Sequence, residues 1–201
     1  MTKPQMQKML PAGKRPTAEV HHFTLKPMDV MMDNLRYMRD GVSFMVARPG
    51  DYVRLVADGK LQMSDTDMEW KTNWRFLMSA RGDVLVAGLG IGLVLVPLLK
   101  KPEVKSVTVI ERNLDVIALV APHFKSKKLR VIEGDAKLPD EVLNGDKFDT
   151  VWLDIWASFS SDHLAEMKAL KQVYRKRVRR HGFCGCWSEL ETRSMARRGI
   201  V

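Results

Sequence analysis

The sequence predicts an α/β protein built on a doubly wound, mostly parallel sheet. From residue 83 onward, short runs of Val, Ile and Leu alternate with segments of helical periodicity. Runs this continuously apolar are typical of parallel strands that are buried on both faces. Glycines and carboxylates follow the ends of these runs, where a doubly wound sheet gathers its ligand site. A small N-terminal extension with a β-hairpin and helices is predicted to precede the sheet.

The sequence predicts a flexible N-terminal tail that is followed by a helix. Residues 1–18 contain three prolines, several basic side chains and little apolar periodicity, which predicts a flexible basic tail. Structure is therefore expected to begin near Val20. Apolar side chains recur at helical spacing over residues 29–39, which predicts the first helix.

Residues 19–80 complete the predicted helix and β-hairpin extension. The Asp58-Gly59 pair lies between two apolar runs and predicts a tight hairpin turn. A following helix begins at an N-cap, Asp65 or Thr66, and runs to about residue 80. The short strands of this extension are predicted at residues 42–46, 52–56 and 60–63.

Residues 81–201 predict the main α/β domain. Right-handed crossovers place the carboxyl ends of its parallel strands at one edge of the sheet. Helices are predicted at residues 93–100, 114–121 and 161–180. The predicted strands are residues 84–87, 107–110, 129–132, 150–153 and 182–187.

Composition excludes several classes of protein. With 45% hydrophobic and 28% charged residues in a chain of 201, the sequence is that of a globular protein. The longest apolar stretch, residues 84–99, is interrupted by glycines and Pro97, so no membrane-spanning segment is expected. The two cysteines are poorly placed to bridge, and no secretory leader is evident, which predicts a cytoplasmic protein. The histidines lack metal-ligand spacing, so no metal site is expected.

The formal net charge of +9 is concentrated near the C-terminus. Residues 168–198 carry ten Lys and Arg side chains against Glu189 and Glu191. Such a segment suits a nucleic acid backbone or an acidic partner. A solvated helix face is the plainer interpretation, because no recognised nucleic-acid module accompanies the charges.

Three glycines follow the first strand of the main domain. Gly88, Gly90 and Gly92 lack side chains that would obstruct a ligand approaching the backbone. Their G-x-G-x-G spacing departs from the dinucleotide fingerprint because Leu93 occupies the position of the third glycine. A nicotinamide cofactor is therefore disfavoured.

Carboxylates follow the next three strands. Glu111 ends the second strand and can accept hydrogen bonds from both ribose hydroxyls. Asp135 follows the third strand and can accept from an adenine amino group, and Asp154 ends the fourth. The three acids at one sheet edge predict a nucleoside site.

These motifs resemble the class I S-adenosylmethionine-dependent methyltransferase superfamily, and within it the spermidine synthase-like branch. The resemblance implies a Rossmann-like methyltransferase fold, although the sequence stops soon after the fifth strand where the family has two more. It covers about residues 50–155. The motifs that carry it are LVADGKLQ at 55–62 followed by Asp67, VLVAGLGIG at 84–92, VKSVTVIER at 104–112, VIEGDA at 131–136 and FDTVWLD at 148–154.

The resemblance assigns roles to individual residues. Gly88, Gly90 and Gly92 would cradle S-adenosylmethionine, and Glu111 would hold its ribose. Asp135 and Ala136 would frame the adenine, while Gln62 and Asp154 would border the reacting end. Asp154 is the predicted catalytic residue. On the substrate side the sequence offers Asp67, at the start of the helix after the hairpin, and Trp156, in the loop after the fourth strand.

Three functions stay open at this point. A methyltransferase of unknown acceptor is the first, with Asp154 orienting or deprotonating the nucleophile. An aminopropyltransferase is the second, but the second acid of that family's post-strand motif is replaced by Ala157, and Lys71 and Thr72 stand where its acceptor-side Tyr and His would be. The third is a non-catalytic protein that binds nucleic acid or a partner through its basic helix. A homo-oligomer also stays open, and no membrane partner is expected.

Overall fold

A computed structural model describes residues 1–199 of the chain. Within them the strands form a four-stranded antiparallel sheet and a five-stranded parallel sheet. The strands are β1 (Gly13–Lys14), β2 (Ala18–Leu25), β3 (Gly50–Ala57), β4 (Lys60–Ser64), β5 (Gly82–Ala87), β6 (Val104–Glu111), β7 (Leu129–Glu133), β8 (Phe148–Leu153) and β9 (Val178–Cys186). The α-helices are α1 (Pro27–Arg39), α2 (Asp67–Ser79), α3 (Leu95–Lys100), α4 (Leu114–Val120), α5 (Pro139–Val142), α6 (His163–Arg175) and α7 (Glu189–Arg197).

The parallel sheet confirms the predicted doubly wound fold. Its strand order is β7-β6-β5-β8-β9, and every neighbouring pair is parallel. The chain runs outward from β5 through β6 to β7 and then returns to the other side of β5 as β8. The order therefore reverses between β5 and β8, and the crevice at their carboxyl ends is where such sheets bind ligands.

Apolar side chains of β5 and β8 form the centre of the core. Val84, Leu85 and Ala87 are fully buried, as the continuous apolar pattern of β5 predicts. Trp152 of β8 stacks on Phe76 of α2, with ring centroids 4.8 Å apart and planes 2° from parallel. The indole N–H of Trp152 donates to the Asn73 side chain, so the polar edge of this buried ring is satisfied. These contacts fix α2 against the sheet beside the crevice.

The antiparallel sheet contains the predicted hairpin and a strand that the sequence did not reveal. Asp58 and Gly59 both have positive φ, which confirms the tight turn between β3 and β4. Strand β2 pairs with β3 along its whole length and was not predicted. The strand predicted at 42–46 is wrong, because Met45 N–H bonds back to Val42 and a 3-10 helix forms instead.

The first 18 residues differ from the flexible tail that the prolines suggested. Met6 and Leu10 are fully buried in the main hydrophobic core, and β1 pairs with β2. The hydroxyl of Thr17 donates to the carboxylate of Asp115 at the start of α4. Two isolated apolar side chains therefore anchor this segment, although they form no periodic pattern.

The helix predicted for residues 161–180 is shorter than expected, and the strand that follows it begins earlier. Helix α6 ends at Arg175, and Phe148 N–H donates to the carbonyl of Arg177, which draws the chain into β9. Five of the ten basic side chains form ion pairs within the chain: Lys171, Lys176, Arg177, Arg179 and Arg193. Helices long and apolar enough to cross a membrane are absent from the described residues.

Candidate active site

A cavity of about 280 Å³ lies at the carboxyl edge of the parallel sheet. The ends of β5, β6, β7 and β8 line it, together with the β3-β4 hairpin. It brings together most of the site residues that the sequence predicts, namely Gly88, Gly90, Glu111, Asp135, Ala136, Gln62, Asp154 and Trp156. The crevice predicted from the reversal of strand order is thus present and lined by the expected side chains.

The glycine loop after β5 packs too tightly for side chains. Gly88, Gly90 and Gly92 all have φ values between +51° and +99°, which L side chains rarely adopt. A Cβ on Gly88 would collide with the Asp154 carbonyl, and one on Gly90 with the Met63 sulfur. The Met63 sulfur also accepts the Ile91 N–H at 3.2 Å, so the hairpin holds the loop in place.

Gly92 has a structural role in the same loop. It does not line the cavity; instead a Cβ there would collide with the ring of Phe124. We expect Gly92→Ala to lower the free energy of unfolding by about 2–4 kcal/mol, from overpacking and backbone strain together.

Gly59→Ala provides a matched control for this prediction. Gly59 has nearly the same φ, +73° against +76°, but nothing lies within 4 Å of its added Cβ. It carries the backbone strain without the collision, so a loss of only about 1 kcal/mol is expected. Urea denaturation of both variants measures the difference. Equal losses of unfolding free energy would mean that the Phe124 ring moves away from the added Cβ without destabilising the protein.

The Glu111 carboxylate spans the floor of the cavity between two loops. One oxygen accepts the Leu89 N–H of the glycine loop at 2.9 Å, and the other accepts the Asn113 N–H at 2.9 Å. Each carboxylate oxygen has a second lone pair that these bonds leave available. A pair of adjacent hydroxyls is the ligand group that this arrangement fits.

Asp135 and Ala136 lie at the end of β7 on the neighbouring wall. An Asp135 oxygen accepts the Lys137 N–H at 2.8 Å, which fixes the turn that carries it. The buried Tyr174 hydroxyl donates to the Ala136 carbonyl at 2.8 Å and ties this turn to α6. Both residues line the cavity beside Glu111 of the neighbouring strand.

Asp154 follows β8 at the point where the strand order reverses. Its backbone N–H donates to the Ala87 carbonyl, which holds it beside the glycine loop. Burial raises the pKa of its carboxyl to about 7. A carboxyl with such a pKa exchanges protons readily near neutral pH, as a general base requires.

Glu69 is a second acid near Asp154 that the sequence analysis did not identify. It lies on α2 with only 4% of its surface exposed. Burial raises its pKa well above the usual range, and the negative charge of Asp154 raises it further. The indole of Trp187 and the backbone of Ser64 interact with its carboxyl and partly offset this effect. Glu69 does not line the cavity, but it is a buried acid whose pKa responds to the charge of the cavity residue Asp154.

The signal that could have revealed Glu69 is its helical position. Residues 69, 72, 73 and 76 follow the spacing of one helix face, and the structure buries all four. A glutamate on a buried face is unusual unless it serves a site.

Trp156 lines the cavity in the loop after β8, as the substrate hypothesis expected. It is mostly buried, and its indole N–H donates to the Glu166 carboxylate at 2.7 Å. Glu166 also pairs with Lys137, and both line the cavity without having been predicted. Gln62 likewise lines the cavity, and its amide donates to the Ala57 carbonyl of its own hairpin.

Asp67 does not belong to the cavity, which corrects its assignment to the substrate side. Its carboxylate is buried and accepts two hydrogen bonds from the Arg48 guanidinium, at 2.7 and 2.9 Å. The Lys3 ammonium lies 3.3 Å from an oxygen of the same carboxylate. The Arg48 hydrogen bonds lower the pKa of Asp67 to about 2. This acid fastens the N-terminal segment and the loop before β3 to the start of α2.

Comparison with solved structures shows the fold. Spermidine synthase from Thermotoga maritima superimposes with a TM-score of 0.50 over 84% of this chain, at 14% identity, and 53% of its own length is covered. This chain has the class I methyltransferase fold. A spermidine synthase in complex with the transition state analogue AdoDATO gives a TM-score of 0.49 at 14% identity, covering 84% of this chain and 52% of that one.

A provisionally named caffeoyl-CoA O-methyltransferase from Staphylococcus aureus matches 55% of this chain and 51% of its own, with a TM-score of 0.41 at 23% identity. This chain spans about half the length of each of these proteins. The sequence matches no family model and no curated protein.

Proposed function

We propose that the protein is an S-adenosylmethionine-dependent methyltransferase. The observation that carries the proposal is the Glu111 carboxylate, which Leu89 N–H and Asn113 N–H hold across the glycine loop. Its placement at the end of β6, one strand away from the loop, is suited to a nucleoside ribose. Asp135 and Ala136 on the next strand suit the adenine.

The residues present fit the cofactor on structural grounds. Gly88 and Gly90 line the cavity and leave no room for a Cβ, so the loop presents its backbone to a ligand there without side chains of its own at these two positions. When bound, S-adenosylmethionine supplies a methyl group already activated by its sulfonium. Asp154 would then orient the acceptor and take its proton, because a pKa of about 7 permits both at neutral pH. The partly closed crevice would exclude water from the transfer.

Aminopropyl transfer is a second candidate, and Glu69 favours it. The acid missing at Ala157 is compensated by a buried acid on α2 whose pKa responds to the charge of Asp154. A buried acid behind Asp154 suits an amine acceptor, which arrives as a cation and must lose a proton before it attacks.

Non-catalytic binding through the basic segment receives less support. Half of its ten cations are engaged in ion pairs with acids of the same chain, and Arg177 is buried. Paired cations contribute little to counterion release on a phosphate backbone.

Calorimetric titration tests these candidates. We expect S-adenosylmethionine to bind more tightly than its decarboxylated form, because methyl transfer uses the intact cofactor. Adenosine serves as the control for the nucleoside part and should bind more weakly than either. Tighter binding of the decarboxylated form would favour aminopropyl transfer over methyl transfer. Failure of all three to bind would contradict the proposed function.

A further inference from the structure

Helix α1 directs an apolar stripe away from the protein. Its five large exposed apolar side chains, at positions 28, 31, 32, 35 and 38, are related by steps of three and four residues along and across the helix, which places them on one helix face. This face is the outward one, since the only buried residue of α1 is Val30. The exposed fractions are 73% for Met28, 47% for Met31, 67% for Met32, 58% for Leu35 and 64% for Met38.

The opposite face fixes α1 to the protein. The Asn34 amide donates to the Ala47 carbonyl at 2.7 Å and accepts the Ala47 N–H at 3.0 Å. These two bonds and Val30 set the rotation of the helix, so the outward stripe is a fixed feature. A contiguous exposed apolar stripe with a polar rim is typical of interaction sites.

The charges beside the stripe indicate what covers it. Asp29 and Arg36 lie seven residues apart on the same flank of the stripe, in the N-terminal and C-terminal halves of α1. An antiparallel pair of such helices sets Asp29 of each copy beside Arg36 of the other. An anionic lipid surface instead selects a polar face rich in Lys and Arg, which α1 lacks.

We propose that α1 is the two-fold interface of a homodimer, in which the stripes of two copies pack antiparallel. A two-fold axis makes one self-complementary surface serve both subunits, and α1 has that complementarity in both its apolar stripe and its charges. The methionines adapt their shape to one another in such a contact. This inference does not depend on the proposed function.

Sedimentation equilibrium of the full chain tests the interface. We expect a reversible dimer in the micromolar range, because one helix per subunit supplies less than the roughly 800 Å² per partner of a standard interface. Leu35 lies at the centre of the stripe, so Leu35→Glu should weaken dimerisation roughly a hundredfold. Leu190→Glu is the matched control, since Leu190 is 51% exposed on another helix and should leave the dimer intact.

Charge exchange tests the antiparallel orientation. Arg36→Asp places an aspartate beside Asp29 of the partner subunit and should weaken the dimer about fivefold to tenfold. The double variant Asp29→Arg with Arg36→Asp restores opposite charges and should recover most of that loss. Thermal unfolding of each variant confirms that the subunit itself stays folded.

Two outcomes would overturn the interface. One is a chain that stays monomeric to high micromolar concentration, including a monomer that uses the stripe to bind anionic vesicles or another protein. The other is a dimer that Leu35→Glu leaves unchanged, since the contact would then lie elsewhere. A dimer lost in Leu35→Glu but indifferent to charge exchange would overturn the antiparallel arrangement.

Discussion

Replacing Glu111 with alanine is expected to weaken S-adenosylmethionine binding by roughly a hundredfold or more. Hydrogen bonds to a charged acceptor contribute about 1.5–3 kcal/mol each, and this carboxylate is placed to accept two from the ribose. The variant also loses the bond from Leu89 N–H, which positions the glycine loop. Calorimetric titration of the variant measures the loss of affinity.

The neighbouring strand provides the control for Glu111. Glu133 ends β7 in register with Glu111, but it is exposed and does not line the cavity. Glu133→Ala removes the same charge from the same sheet edge and should leave the affinity nearly unchanged. Glu111→Gln should fall between the two, since its amide oxygen still accepts one hydrogen bond. Equal losses at Glu111 and Glu133 would indicate a general effect of charge and would overturn the ribose assignment.

The sequence was informative where function depends on parallel strand ends. Glu111, Asp135 and Asp154 are far apart in the chain, yet each follows an apolar run, and parallel packing brings such ends to one edge. The conjunction therefore predicted the cavity before any contact was known. The observed strand order, β7-β6-β5-β8-β9, agrees with the doubly wound sheet that the sequence predicts.

The sequence was less informative where a residue's partner lies in an irregular segment. The position of Asp67 after the hairpin suggested a substrate contact. Its carboxylate instead accepts two hydrogen bonds from Arg48, in the loop before β3. Met6 and Leu10 sit in a proline-rich stretch without periodicity, so their burial against the sheet could not be inferred. Long-range packing decided each of these outcomes, and local pattern does not encode it.

Replacing Asp154 with asparagine is expected to stabilise the protein above pH 7. Burial raises the pKa of Asp154 from 3.8 to about 7, so the native state binds its proton more tightly than the unfolded state. The stabilisation from this group is fully present below pH 4 and is lost as the pH rises to 7. Asparagine does not ionise, so the variant does not lose stability in this way. The free energy of unfolding of the variant should therefore exceed that of the parent by an amount that grows with pH to on the order of 3 kcal/mol.

Urea denaturation from pH 5 to pH 8.5 measures this advantage. Glu191→Gln is the matched control, because burial also raises the pKa of Glu191 and Asp154 is not among the groups that shift it. Both variants should gain stability relative to the parent as the pH rises, but only Asp154→Asn should couple to Glu69. A constant difference between Asp154→Asn and the parent at every pH would mean that the carboxyl titrates as it does in water.

The coupling between Asp154 and Glu69 connects this stability effect to catalysis. Asp154→Asn removes the negative charge that helps raise the pKa of Glu69, so the pH-dependent gains of Asp154→Asn and Glu69→Gln should not add. With an acceptor in hand, Asp154→Asn should lower turnover by about 10²–10⁴-fold, the usual contribution of a general base. The parent protein should gain activity as the pH rises toward 7, the range in which Asp154 loses its proton and the fold loses stability. The ionisation that costs stability is therefore the one that the proposed proton transfer needs.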